Sequence, residues 1–146
     1  MPTNDYNLTT EQPKKDNQIA ELHARDVAAQ HLGIRIVKLA ATKATLSMHV
    51  VDWMMQGHDI CHGGFIFALA DTAMAYASNT GKLAHVALNA NIDFLHPVRA
   101  GTELIASAEE VNATRRTGMY RVSVTIKNGS LVAEFHGRTY GVERKT

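Results

Sequence analysis

Asp71 has neighbours that do not suit a charge. Leu69, Ala70, Ala73 and Met74 surround it in the sequence, and a carboxylate in apolar company costs several kcal/mol unless it is solvated, paired or used. An ionised carboxylate can attack an electrophilic carbon or take a proton from water. Just upstream stand His62, Gly63 and Gly64, with Gln56 further back. Paired glycines at the mouth of a helix admit close backbone approach. Neither Cys61 nor His62 is a favoured N-cap residue, so the first amides of the helix are expected to lack acceptors. Two readings follow. Either the glycines allow tight packing, or the free amides, at the positive end of the helix dipole, bind an anion or a carbonyl oxygen that becomes negative under attack.

The step from Gly63 to Asp71 is eight residues, or about 12 Å along a helix axis. A group within about 3 Å of a reacting carbonyl cannot be that far from the amide that holds the carbonyl oxygen. If both serve one reaction, they come from different subunits. A two-fold dimer with antiparallel buried helices supplies two such sites.

A helix to carry these residues is legible in the spacing. Ile66, Leu69, Ala70, Ala73, Met74 and Ala77 follow the i, i+3, i+4, i+7 rule, so the helix is strongly apolar and must be buried. Residues 51–62 before it are irregular. A first helix is expected to start at Pro13, to set Ile19, Leu22, Val27 and His31 or Leu32 near one face, and to stop at Gly33. Strands are expected at 34–39, at 44–50, where Ala44, Leu46, Met48 and Val50 alternate with polar residues, at 85–94, and at 102–111 after a turn over 97–101. A hairpin closes the chain: Tyr120, Val122, Val124 and Ile126 lead through Asn128-Gly129, the favoured type I′ pair, into Leu131, Ala133 and Phe135. Two helices and five or six strands, without repeat or linker, make one α+β domain over residues 1–146 in which an antiparallel sheet wraps the buried helix. Residues 1–12 are expected to be a flexible tail.

Composition narrows the function classes. The chain has 146 residues, 45% hydrophobic and 20% charged, as an ordinary globular domain does, and unlike a disordered or collagenous chain. Fifteen Lys and Arg against fourteen Asp and Glu leave a net charge of +1, too little to gather nucleic acid or an anionic membrane. Cys61 is the single cysteine, which excludes an intrachain disulfide and fits a reducing compartment. The N-terminus lacks the apolar stretch of a signal peptide, and the longest apolar run, 65–70, is too short to span a bilayer. A cytoplasmic protein is expected.

The string CHGGFIFALADTAMAYA, the downstream FLHP and the hairpin RRTGMYRVSVTIKNGSLVAEFHGR resemble the hotdog-fold acyl-CoA thioesterases of the phenylacetate-degradation (PaaI-like) type, over about residues 17–140. The resemblance implies a sheet wrapped around the long helix, a tetramer built as a dimer of dimers, and hydrolysis of aryl- or acyl-CoA thioesters, with phenylacetyl or hydroxyphenylacetyl as the favoured acyl group. It makes Asp71 the nucleophile or general base, the Gly63 N–H the oxyanion donor, and Gln56 the group that orients the water or the thioester. His62 is expected to orient the glycine loop. Ala75 and Ala87 are apolar where some related thioesterases place a Thr or Ser that helps hold the water.

Weaker signals surround this core. Gly64 joins Gly63 at the proposed substrate end. Trp53, with Met54 and Met55, either lines an acyl pocket or packs under the loop. Among the arginines that suit coenzyme A phosphates, Arg115 and Arg116 rank first because they share a predicted turn. His58, Asp59, Cys61 and His62 lack a standard zinc spacing, and neither a metal nor a cofactor is expected, coenzyme A being part of the substrate. Two other functions compete: a non-catalytic acyl-CoA binding module, and an enoyl-CoA hydratase or dehydratase, which would want a His beside Asp71 on the helix.

Overall fold

The computed structural model describes residues 12–145. The tail expected over residues 1–12 lies outside the described residues, apart from Gln12, which opens the first helix. In chain order the elements are α1 (Gln12–Arg25), α2 (Val27–His31), β1 (Arg35–Ala40), β2 (Lys43–His49), a one-turn 3₁₀ helix (Asp52–Met54), α3 (Gly63–Ser78), β3 (Ala84–Phe94), β4 (Glu103–Ala113), β5 (Thr117–Ile126) and β6 (Leu131–Val142).

The first helix expected from the sequence is two helices. Asp26 leaves the helical conformation and its side chain accepts the Ala29 N–H at 3.1 Å, so the chain stops and restarts there. The restart changes the phase of the apolar face: Ala29 is buried, whereas Val27, expected on that face, is 78% exposed. Gly33 does end the segment, at a φ of +70° that glycine tolerates.

The six strands of the described residues form one antiparallel sheet in the order β1-β2-β4-β5-β6-β3, and α3 packs against β2, β3, β4, β5 and β6. This is the α+β architecture the sequence implies, with the sheet folded around one long apolar helix. On α3, Leu69, Ala70 and Ala73 are completely buried; Leu46 and Met48 of β2, Leu104 of β4, Val122 and Val124 of β5, and Phe135 of β6 fill the same core. Side chains of strands alternate between faces, and the alternation read from β2, β5 and β6 is the one observed.

The last hairpin turns differently from expectation. Gly129 has a φ of +101°, but Asn128 does not take a positive φ, and a type I′ turn needs both. The Gly129 N–H closes on the Ile126 carbonyl at 2.9 Å and the Ile126 N–H on the Ser130 carbonyl at 3.0 Å. The loop is therefore one residue longer and ends on a glycine bulge, which the register shift after Val124 absorbs.

Among the described residues β3 pairs only with β6, so its other side is an edge without a partner strand there. Its Val86 and Leu88 are 57% and 60% exposed, and a shift in register between Ala87 and Asn89 places Leu88 at an irregularity in the ladder. No described helix is long and apolar enough to cross a membrane.

Candidate active site

The entry to α3 is built by the irregular loop. The Cys61 N–H bonds the Val98 carbonyl at 2.6 Å and the His62 N–H bonds the Met54 carbonyl at 2.8 Å, which anchors the chain immediately before the helix. His62 then caps α3: its backbone is extended, with ψ of 130°, and its Nδ1 accepts the Gly64 N–H at 3.3 Å. This corrects the expectation that neither Cys61 nor His62 covers the first amides. A neutral imidazole with its proton on Nε2 offers Nδ1 as an acceptor, and the geometry suffices where the usual capping ranking does not. The cap covers Gly64 but not Gly63. The Gly63 N–H has no acceptor among the described residues, and it sits at the positive end of a sixteen-residue helix.

Gly63 also lets an aromatic ring approach closely. A Cβ there would lie 2.7 Å from Cζ of Phe94, whose ring lies against the glycine. The ring packs against a residue without a side chain, and the amide beside it is left free among the described residues. Beside it is a pocket of about 400 Å³ lined by Gln56, Cys61, Gly63, Ile66, Phe94 and Pro97 among others. Gln56 enters it from a tight loop in which its own N–H bonds the Ile60 carbonyl at 2.8 Å. The Gln56 Oε1 accepts the His58 N–H at 2.5 Å, which leaves the Nε2 end to donate. Cys61 shares this wall, but burial pushes its thiol up to about 11, so it is no thiolate nucleophile at neutral pH.

Asp71 is not in this pocket. It stands in the middle of α3, half-buried, with no hydrogen bond or ion pair among the described residues. Burial, and after it the negative charge of Asp26, raises its carboxyl above the ordinary range. A protomer therefore brings Gln56, His62, Gly63 and Gly64 together and leaves Asp71 about two helical turns away.

The remaining expected site residues lie elsewhere. Trp53 is 55% exposed and stands edge-on to Phe65 at 5.3 Å, lining a different cavity with His31, His49 and Glu103. Arg115 is exposed in the β4–β5 turn. Arg116 bonds the Gly141 carbonyl at 3.2 Å and pairs with Glu143 at 3.7 Å. Thr114 and Thr117 of that turn border a cavity with Ser78 and Thr80, so the two arginines belong to the C-terminal end of α3, away from Gly63 of the same protomer. Phe94 lines the candidate site and residue-level reading missed it, although an aromatic ending a strand three residues before Pro97 was visible.

A free amide, a donor amide side chain and an apolar pocket suit a polarised carbonyl on an apolar group. The family model of the Thioesterase superfamily matches residues 58–133, which hold α3, β3, β4, β5 and the pocket lining apart from Gln56. The chain belongs to the thioesterase superfamily. It is 39% identical over 121 residues to the acyl-coenzyme A thioesterase PaaI of Escherichia coli K12, covering 83% of this chain and 86% of that one. The solved structure of the E. coli PaaI protein from the phenylacetic acid degradation operon superposes with a TM-score of 0.87 at 37% identity, over 89% of this chain and 94% of that one. A mutant structure of the phenylacetic acid degradation protein PaaI from Thermus thermophilus gives 0.77 at 40% identity, over 80% and 100%. The resemblance read from the HGG string and the hairpin is borne out, the fold is the hotdog, and the chain is a thioester hydrolase.

Proposed function

We propose that this thioesterase hydrolyses acyl-CoA thioesters at sites shared between two protomers, with Asp71 as the group that attacks or activates water and the partner subunit's Gly63 as oxyanion donor. The observation that carries the reading is a pair of groups unsatisfied among the described residues: a half-buried carboxylate without partner and a helix-terminal N–H without acceptor, too far apart on one helix to meet. The free β3 edge with Val86 and Leu88 exposed supports a dimer formed by strand addition. A dimer of dimers is the assembly that the likeness to the PaaI-like family favours.

In the water route, ionised Asp71 takes a proton from water as the hydroxyl oxygen bonds the thioester carbon. The carbonyl oxygen becomes negative against the Gly63 N–H, and collapse breaks the carbon–sulfur bond, releasing the acid and coenzyme A, whose sulfur ends protonated. In the nucleophilic route, Asp71 itself bonds the carbon, coenzyme A leaves, and water cleaves the resulting mixed anhydride. Gln56 Nε2 orients the carbonyl or the water in either case, and His62 holds the glycine loop. Both routes run on a carboxylate, an amide and water without a cofactor. The apolar pocket beside Gly63 suits an aryl acyl group, and phenylacetyl or hydroxyphenylacetyl is favoured by the likeness to proteins of phenylacetic acid degradation. Arg115 and Arg116 are the proposed phosphate contacts, and Trp53 and Gly64 the proposed contacts to the remaining substrate.

The test is release of free thiol from a panel of aryl and aliphatic CoA thioesters by the wild-type protein and Asp71→Asn. Activity on aryl-CoA that falls by at least about 10²-fold in the variant supports the reading. Activity retained within about tenfold in Asp71→Asn would overturn it.

A further inference from the structure

A second cavity, of about 380 Å³, opens beside the 3₁₀ helix and is lined by Arg35, His49, Trp53 and Glu103 among others. It shares no lining residue with the pocket beside Gly63, and the proposed hydrolysis makes no use of its charged groups. Strand register gathers three of these side chains. Arg35 of β1 pairs with Ser47 of β2, and His49, two residues further along β2, faces Glu103 of β4. Side chains two residues apart on a strand share a face. Glu103 is therefore directly opposite His49 and Arg35 is its diagonal neighbour, a separation of roughly 7–8 Å that long side chains bridge. Their partners differ. His49 Nδ1 stands 3.4 Å from Glu103 Oε2, whereas Arg35 has no carboxylate within ion-pair distance among the described residues. Trp53 is exposed and yet held in place, its indole edge-on to Phe65 at 5.3 Å and 6.0 Å from the His31 ring.

We propose that this cavity binds an aromatic monoanion, an aryl carboxylate of the kind that hydrolysis of an aryl-CoA releases. Trp53 offers a fixed apolar platform against which a flat ring packs. The Arg35 guanidinium, unpaired among the described residues, offers the two parallel donors that match a carboxylate. Charge decides against a larger anion: one guanidinium balances one negative charge, and Glu103 in the same wall repels a ligand that brings several, such as a nucleoside bisphosphate. The volume falls within the range of roughly 300–1,000 Å³ usual for small-molecule sites. Binding then needs both halves of the ligand, because a carboxylate without a ring loses the Trp53 contact and a neutral ring loses Arg35. Where Trp53 also touches substrate, as the hydrolytic reading has it, the acid and the acyl-CoA compete for one indole, but the cavity and its ligand do not depend on the role of Asp71.

Trp53 is the single tryptophan, so its fluorescence reports on this cavity in the full-length protein. Titration with phenylacetate is expected to give a saturable change at millimolar concentration or below. Acetate, which keeps the charge without the ring, is expected to give none, and phenylacetamide, which keeps the ring without the charge, to bind at least about tenfold more weakly. Arg35→Gln is expected to weaken phenylacetate binding by about 10- to 100-fold. A protein with no saturable response to phenylacetate overturns the proposal. So does a response equal for acetate or phenylacetamide, or one unchanged in Arg35→Gln, which would place the acid elsewhere, the pocket beside Gly63 included. Tighter, Arg35-dependent binding of adenosine 3′,5′-bisphosphate also overturns it and gives the cavity to the nucleotide end of coenzyme A. Should Arg35→Gln not fold, the comparison of phenylacetate with phenylacetamide on the wild type decides. Failure of the hydrolytic reading is read separately, as thiol release by Asp71→Asn, and leaves these titrations untouched.

Discussion

At the scale of single residues, Asp71 is a compromise between stability and chemistry. The unfolded chain releases its proton in the ordinary carboxylate range near about 3.9, whereas the folded chain holds it to higher pH. Between those two values the folded state binds the extra proton, so this group's contribution to stability declines as pH rises through the window, and above it the whole penalty applies. Asp71→Asn is therefore expected to melt at a higher temperature than wild type at about pH 7, with the gain shrinking as pH falls towards the unfolded value, and to be nearly inactive. A variant that melts lower at neutral pH would show that the carboxylate makes a stabilising contact in the assembled protein. The same raised value places the acid limb of wild-type activity above about 3.9, which a kcat/KM–pH profile reads directly. The anomaly of Asp71 was legible because a charge in an apolar helix violates the burial rule. The cap by His62 was not, because propensity ranks residues by frequency while the bond to Gly64 depends on one ring nitrogen, one tautomer and an extended ψ.

At the scale of elements, periodicity located α3, β2 and β5 because their buried faces repeat over three or more turns or pleats. It failed where a single side-chain bond overrode the repeat. The Asp26 carboxylate, taken by the Ala29 N–H and the Tyr76 phenol, splits one expected helix into two, and a polar residue on the solvent side of a helical pattern reads the same whether or not it breaks the helix. Asn128-Gly129 marked the reversal but not its geometry, since only Gly129 takes a positive φ. Gly129→Ala is thus expected to lower stability by about 1–2 kcal/mol, measured by denaturant unfolding, whereas Asn128→Ala stays within about 0.5 kcal/mol. Equal losses at both positions would restore the type I′ turn.

At the scale of the whole molecule, the separation of Gly63 and Asp71 makes one protomer half of two sites in the proposed mechanism. The two ends of the proposed site were legible from residue spacing, but the edge strand proposed to join protomers was not, because an exposed edge depends on sheet order and not on local pattern. Leu88, exposed on β3 at a ladder irregularity, is the residue to charge: Leu88→Lys is expected to leave a folded monomer without activity, seen by sedimentation together with the thiol assay. A monomer that still turns over would locate a complete site within one chain. The most direct measurement mixes two inactive proteins. Gly63→Pro removes the amide proton, and Gly63→Ala, which meets the same Phe94 ring, controls for the added carbon; the excess loss in the proline variant is the amide's share, about 10²–10³-fold. Subunits of Gly63→Pro and Asp71→Asn, unfolded, mixed in equal amounts and refolded, are expected to recover about a quarter of wild-type activity, because half the dimers are mixed and each mixed dimer rebuilds one of two sites. Activity no higher than the sum of the separate proteins, with mixed dimers shown to have formed, would contradict a site shared across the interface.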